Sequence, residues 1–269
     1  MSKRIITQDK YALYLCSVQD PLSDVERISN IYTELTEKNP EKLREDFSGT
    51  FALCCCWVQD EKNNSAIAID IDENALSYGK ENYYTHLSDD EKKRLNVLQQ
   101  DSISTTEKVD IIVAFNYSYC LFHQRSVLKQ YFKHCLDSLD KDGILILDLF
   151  GGSDSEILET QVRQIHNNDQ IQNFDFEFVR ESFNPISRKS HYHINFKYED
   201  GPSIEKAFSY HFRMWTIPEL RELMEEVGFS KSVVFWEGIG DDGFGNGEFH
   251  QSETEENTVN WNAFIVGAK

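Results

Sequence analysis

The sequence predicts an α/β protein: a doubly wound, mostly parallel sheet of seven strands, with helices ahead of it and an antiparallel β cap inserted into it. Three observations carry this. From residue 42 to 150, short apolar runs alternate with helical stretches, an order that implies right-handed βαβ crossovers and a parallel sheet. After Gly151-Gly152 the aromatics fall on every other residue, at Phe174, Phe176 and Phe178, as antiparallel strands require. The chain has 269 residues, 40% hydrophobic and 13% aromatic, enough for one domain over 1–269 with a sizeable core.

The first forty residues read as helices. Tyr11, Leu13, Tyr14, Leu15 and Val18 precede a break at Pro21; Val25, Ile28, Tyr32 and Leu35 then recur at helical spacing. Ser23 is expected to cap the second helix, with Glu26 completing a capping box. Residues 43–47 form the first strand. A turn at Ser48-Gly49-Thr50 leads to a helix over 51–59. Residues 66–71 are the second strand, followed by a helix over 73–85, and 96–99 a short third. Residues 109–115 are the fourth, followed by a helix over 124–139, and 143–150 the fifth. The aromatic alternation at Phe174–Phe178, the run His191, His193, Asn195 and Lys197, and residues 207–213 are expected to be antiparallel strands. Residues 217–227 return to helix, with Pro218 in the first turn and Gly228 as C-cap. Strands over 232–236 and 263–266 complete the seven, separated by a loop over 238–256. Its acidic, glycine-rich part, Asp241 to Gly247, reads as a mobile surface loop, with a lid edge as the alternative.

Charge narrows the function. Lys+Arg number 27 and Asp+Glu 46, a net charge of −19, which repels phosphate backbones. The densest basic run, Lys92-Lys93-Arg94, is balanced by Asp89, Asp90 and Glu91. Nucleic acid is therefore not an expected partner. No stretch approaches the roughly 18–20 apolar residues of a membrane span, and Met1 to Ile5 does not open a signal peptide. Cys16, Cys54, Cys55, Cys56, Cys120 and Cys135 contain no CxxC pair. His191 and His193 share a strand face without an evident third ligand, so no metal is expected. A cytoplasmic protein without membrane contact is the resulting expectation.

The chemistry gathers where the strands end, the edge at which doubly wound folds bind ligands. Glu45 and Asp46 close the first strand ahead of Phe47-Ser48-Gly49-Thr50-Phe51, a small-residue turn before a helix N-terminus suited to an anion. Asp70 ends the second strand, where an acid accepts hydrogen bonds from ribose hydroxyls. Asp101 follows the third, where a carboxylate takes an adenine amino group. Each acid alone is also explained as a solvated turn residue. Three in order make a nucleoside pocket.

With these residues in view, the sequence resembles the class I S-adenosylmethionine-dependent methyltransferases, whose fold is Rossmann-like. Glu45 to Phe51 fits their first motif, an acid followed by three spaced glycines, of which the middle one is retained as Gly49. Asp70 fits the ribose acid and Asp101 the adenine acid. Val109 to Asn116 looks like the fourth-strand motif, Gly143 to Asp148 the fifth, and Phe212 to Phe229 the stretch leading into the last helix of small-molecule members. The resemblance implies S-adenosylmethionine as cofactor, held by Glu45, Asp46, Phe47, Ser48, Gly49, Asp70, Ile71, Asp101, Ser102 and Asn116. Tyr11 and Tyr14, three apart on the first helix, are expected to close over it.

The acceptor side is expected to comprise Tyr117, Tyr119, Phe150, Arg213 and Trp215. Tyr119 is the expected catalytic residue, orienting the nucleophile. Residues 1–40 are expected to form a helical lid and 155–213 a cap that selects a small-molecule acceptor. A protein methyltransferase and a non-catalytic adenosyl-ligand scaffold are the alternatives. A nicotinamide dehydrogenase is disfavoured, since no GxGxxG follows the first strand.

Overall fold

A computed structural model describes residues 9–166, 171–240 and 245–269. The chain forms two compact units, one of Pro21–Ser155 with Trp215–Lys269, the other of the residues up to Asp20 with Glu156–Met214. Helix α1 (Lys10–Val18) belongs to the smaller unit and α2 (Pro21–Thr36) opens the larger. The larger unit continues with β1 (Lys42–Asp46), α3 (Ala52–Asp60), β2 (Ser65–Asp70), α4 (Glu73–Asn82), α5 (Asp89–Arg94), β3 (Leu95–Gln99), β4 (Val109–Ala114), α6 (Arg125–Ser138) and β5 (Leu139–Gly151). The smaller unit then adds β6 (Thr160–Ile165), β7 (Phe174–Asn184), β8 (Lys189–Lys197) and β9 (Ser203–Arg213). The chain returns to the larger unit with α7 (Ile217–Val227), β10 (Lys231–Ile239), β11 (Gly245–Gln251) and β12 (Trp261–Ala268).

In the larger unit the sheet order is β11-β10-β12-β5-β4-β1-β2-β3. Strands β1 to β5 run parallel. Strand β12 is antiparallel to both β5 and β10, and β11 is antiparallel to β10. The order reverses between β1 and β4, a topological switch point of the kind that opens a ligand crevice at the strand ends. Ile111 to Ala114 and Ile144 to Leu147 are fully buried, as strands covered on both faces must be. On one face Leu43, Ile111, Val113, Ile144, Ile146, Phe235 and Phe264 pack with Val25, Ile28 and Ile31 of α2 and Leu53 and Trp57 of α3.

In the smaller unit the four strands form one antiparallel sheet, β6-β7-β8-β9. Phe174, Phe176, Ile194 and Phe196 build its core with Leu13 of α1. Alternation leaves His191, His193, Asn195 and Lys197 on the other face, where Glu181 accepts from His191 Nδ1 at 2.6 Å.

Several details differ from the sequence reading. Helix α2 starts at Pro21, so Ser23 lies inside its first turn and does not cap it; proline is preorganised for a first helical position. The sheet has eight strands instead of seven, because β11 lies in the stretch read as a loop. It is exposed along most of its length, so backbone pairing with β10 forms it without an apolar alternation. Strand β6 was hidden in the same way, being exposed at nearly every residue. Helix α5 rests on a capping box, Ser88 with Glu91, too short for a periodic signal. Residues 241–244 of the acidic, glycine-rich part lie outside the described residues. As expected, α7 spans Ile217–Val227 with Pro218 in its first turn and Gly228 as left-handed C-cap. Among the described residues, no helix is long and apolar enough to cross a membrane.

Gly79 of α4 is where that helix meets the turn between β1 and α3. A Cβ there would lie 2.1 Å from the Thr50 carbonyl oxygen and 2.5 Å from the Phe51 ring. Alanine is the better helix former by roughly 1 kcal/mol, but crowding of this kind costs about 1–3 kcal/mol. Gly79→Ala is therefore expected to lower the urea midpoint; a raised midpoint would show that the turn yields.

Candidate active site

Strand β1 ends on a buried ion pair. Side chains alternate along a strand, so Arg44 and Asp46 share one face and Leu43 and Glu45 the other. Arg44 Nε and Nη2 donate to the two Asp46 carboxylate oxygens at 2.7 and 2.9 Å, and both side chains are fully buried. Arg44 Nη2 also donates to the Ser102 carbonyl at 2.5 Å, and the Tyr131 hydroxyl of α6 donates to Asp46 at 2.8 Å. Burial pushes the Asp46 carboxyl up, and Arg44 pulls it down. Asp46 thus anchors the turn from beneath.

The turn that follows keeps a glycine-like path without the glycines. Phe47, Gly49 and Phe51 all have positive φ, at 58°, 54° and 49°. For an L side chain this costs roughly 1–2 kcal/mol per residue. Complete burial of the Phe51 ring offsets it, being worth about 1.5–3 kcal/mol. Phe47 packs on Phe122 and Tyr131 with ring centroids 5.8 and 5.9 Å away. Ser48 N donates to the Ile69 carbonyl at 2.9 Å, Phe51 N to the Ser48 carbonyl at 2.7 Å, and Gly49 N to Asp70 Oδ2 at 2.6 Å.

Space and donors at this turn fit a nucleoside ligand. A Cβ on Gly49 would meet nothing within 4 Å. Ser48 Oγ is buried without a protein partner. No side chain caps α3, which leaves its first amides for an anionic group. Asp70 Oδ1 accepts from Asp72 N at 2.8 Å, so each Asp70 oxygen uses one of its two acceptor sites. Ile71 beside it is 73% exposed. Past β3, Asp101 is exposed and accepts from Ile103 N at 3.1 Å, starting a short turn at Ser102.

A second strained turn follows β4. Asn116 and Tyr117 have φ of 56° and 59°. Both amides donate to the Asp148 carboxylate at the end of β5, at 2.7 and 2.9 Å. Tyr119 is fully buried, and its hydroxyl donates to the Asp148 carbonyl at 2.8 Å. The Tyr117 and Phe150 rings meet in a T-shaped contact, with centroids 4.6 Å apart.

The structure thus gathers Glu45 to Gly49, Asp70, Ile71, Asp101, Ser102, Asn116, Tyr117, Tyr119 and Phe150 along the carboxyl edge of the large sheet. Trp215 lies in the same unit, buried ahead of α7. Tyr11, Tyr14 and Arg213 belong to the smaller unit. There Tyr11 and Tyr14 pack on Phe208 at 5.9 and 4.9 Å. Sequence reasoning missed Arg44 and Asp148. Asp148 had a signal, since it ends an apolar strand just as Asp70 does. Among the described residues, no group of three or more His, Cys, Asp or Glu is placed to hold a metal ion.

No family model matches the chain, and no curated protein matches it in sequence. Solved structures do match in shape. CalS10, a SAM-bound amino pentose methyltransferase of Micromonospora echinaspora, aligns at TM-score 0.69 and 8% identity, over 100% of this chain and 99% of its own. The chain has the fold of the class I methyltransferases. DesVI of Streptomyces venezuelae aligns at 0.68 and 11% identity, over 98% and 99% of the two chains. KedS8, a sugar N-methyltransferase of Streptoalloteichus sp, aligns at 0.64 and 10%, over 100% and 96%.

Two measurements probe this edge. Replacing one member of a buried, hydrogen-bonded ion pair costs about 3–5 kcal/mol, whereas an apolar pair of similar volume is tolerated. Arg44→Met alone is expected to lose that much in urea denaturation, and Arg44→Met with Asp46→Leu to recover most of it. Equal losses in the single and double variants would remove the pair from its anchoring role.

The second concerns Glu45, which burial pushes up to about 8 from an ordinary 4.5, although Cys54 Sγ donates to it at 3.2 Å. Burial likewise pushes Asp148 to about 7, against the pull of its two backbone donors. The folded chain then keeps protons that the unfolded chain has released. This stability is complete below about pH 4.5 and is lost as pH climbs towards about 8. Urea midpoints are expected to fall between these values, and to fall less in Glu45→Gln. A variant with the parent's slope would show Glu45 ionised throughout.

Proposed function

We propose that this chain is an S-adenosylmethionine-dependent methyltransferase acting on a small-molecule acceptor. The observation that carries the reading is the left-handed path at Phe47, Gly49 and Phe51, closed by Gly49 N on Asp70. It reproduces the backbone of a glycine-rich ligand turn where the sequence lacks two glycines. CalS10 and KedS8 are named for amino pentose and sugar N-methylation, and this chain is assigned the same broad class of acceptor. Six cysteines, none of them in a disulfide, support a cytoplasmic setting.

When bound, the cofactor supplies an activated methyl group on a sulfonium sulfur. The chain's own residues bind and orient. Asp70 offers its remaining acceptor sites to the ribose hydroxyls. Asp101 and the turn at Ser102 take the adenine edge. The uncapped start of α3 takes the carboxylate of the amino-acid end. Glu45, holding its proton at neutral pH, lines the base of the turn as a neutral hydrogen-bonding group. With its hydroxyl on the Asp148 carbonyl, Tyr119 acts as a positioning residue for the Asn116–Tyr117 turn. Aligning nucleophile, methyl and leaving group while excluding water is the main task of such a site.

Calorimetry with S-adenosylmethionine and S-adenosylhomocysteine tests the reading. Both are expected to bind, with or without chelator. Asp70→Ala is expected to lose charge-assisted hydrogen bonds of about 1.5–3 kcal/mol, or about one to two decades in affinity, while remaining folded. Absence of binding by either ligand refutes the proposal; unchanged affinity in Asp70→Ala reduces Asp70 to a turn residue.

A further inference from the structure

Beyond the adenosyl side of the switch point, the carboxyl edge continues across β4, β5, β12 and β10 with a connected row of side chains. Tyr117 follows β4. Phe150 ends β5 and stands opposite Asn262 of β12. The Tyr117 hydroxyl lies 3.5 Å from Asn262 Oδ1, and Asn262 Nδ2 donates to Glu237 Oε2 of β10 at 2.7 Å. Glu237 Oε1 accepts from Gly247 N at 3.0 Å.

Glu237 is unusual among the acids of this edge. It is half-buried, and among the described residues its carboxylate meets two neutral donors and no cation. The nearby Arg27 is engaged by Asp24 at 2.8 Å and by the Gly247 carbonyl at 3.3 Å. The chain makes room for this carboxylate: a Cβ on Gly245 would lie 2.4 Å from it. A carboxylate held by two neutral donors keeps its charge for a cationic group that docks on it. Each of its oxygens keeps an acceptor site. The Tyr117 and Phe150 rings beside the row supply faces that attract a cation.

We infer that Glu237 docks a protonated amine of the methyl acceptor, so that the acceptor is a cationic small molecule whose ammonium group serves as the binding handle. Asn262 orients the carboxylate, and Tyr117 and Phe150 flank the ammonium. This rests on the methyltransferase reading, which assigns the β1–β3 side of the edge to the cofactor and leaves the β4–β10 side to the second substrate.

The test uses the full chain saturated with S-adenosylhomocysteine and three probes of one shape: cyclohexylamine, cyclohexanol and cyclohexanecarboxylate. The amine is expected to bind at least about tenfold more tightly than the other two. A crystal soaked with it is expected to place its nitrogen within about 3.2 Å of the Glu237 carboxylate. Glu237→Gln is expected to lose about tenfold or more in amine affinity while keeping the parent's affinity for S-adenosylhomocysteine, which reports that the edge is folded. Equal binding of amine and alcohol, no binding of the amine, or an amine seated away from Glu237 in the wild-type crystal overturns the inference and leaves the cofactor reading standing. Failure of S-adenosylhomocysteine itself to bind overturns both.

Discussion

The carboxyl edge of the large sheet depends on the buried pair of Arg44 and Asp46. One guanidinium and one carboxylate, with no exposed surface between them, join the end of β1, the Ser102 carbonyl beyond β3 and Tyr131 of α6. A planar fork on a planar carboxylate accepts a narrow range of geometry, unlike a pair of apolar side chains that can slide. The turn carrying Phe47 to Phe51 therefore leaves a fixed point, and so does the segment carrying Asp101. The turn after β1 and the segment after β3 are set relative to each other by a charge interaction buried beneath the edge.

The same logic operates at the second turn with an acid and two amides. Asp148 holds Asn116 and Tyr117 in left-handed conformations through its carboxylate, while its carbonyl receives the Tyr119 hydroxyl. Strained backbone persists where its surroundings over-determine it. Both turns meet that condition at the switch between β1 and β4.

Much of this was readable before any coordinates. The central strands announce themselves because they are apolar on both faces, and Asp70 and Asp101 because an acid closing such a strand stands out. Phe47 and Phe51 disguised the turn after β1: their letters depart from glycine although their backbone takes the positive φ that glycine favours. Strands β6 and β11 were invisible because exposed edge strands need no apolar alternation. Glu237 and Asn262 were invisible for another reason. Their partnership depends on the pairing of β10, β12 and β5, which joins residues that local patterns treat as unrelated. Tyr119, read from the sequence as orienting a nucleophile, has its ring in the core and its hydroxyl on the Asp148 carbonyl, an engagement that depends on β5 and that local pattern does not reveal.

The contact between Phe51 and Gly79 carries a consequence for how this turn can diverge. The benzyl group fills part of the volume that a side chain at position 79 would need, but the Thr50 carbonyl oxygen lies closer still, 2.1 Å from where a Cβ would stand. Losing the ring alone therefore does not free position 79. The path of the turn itself confines α4 to glycine there, so the shape of the turn is written a second time in the helix two elements later.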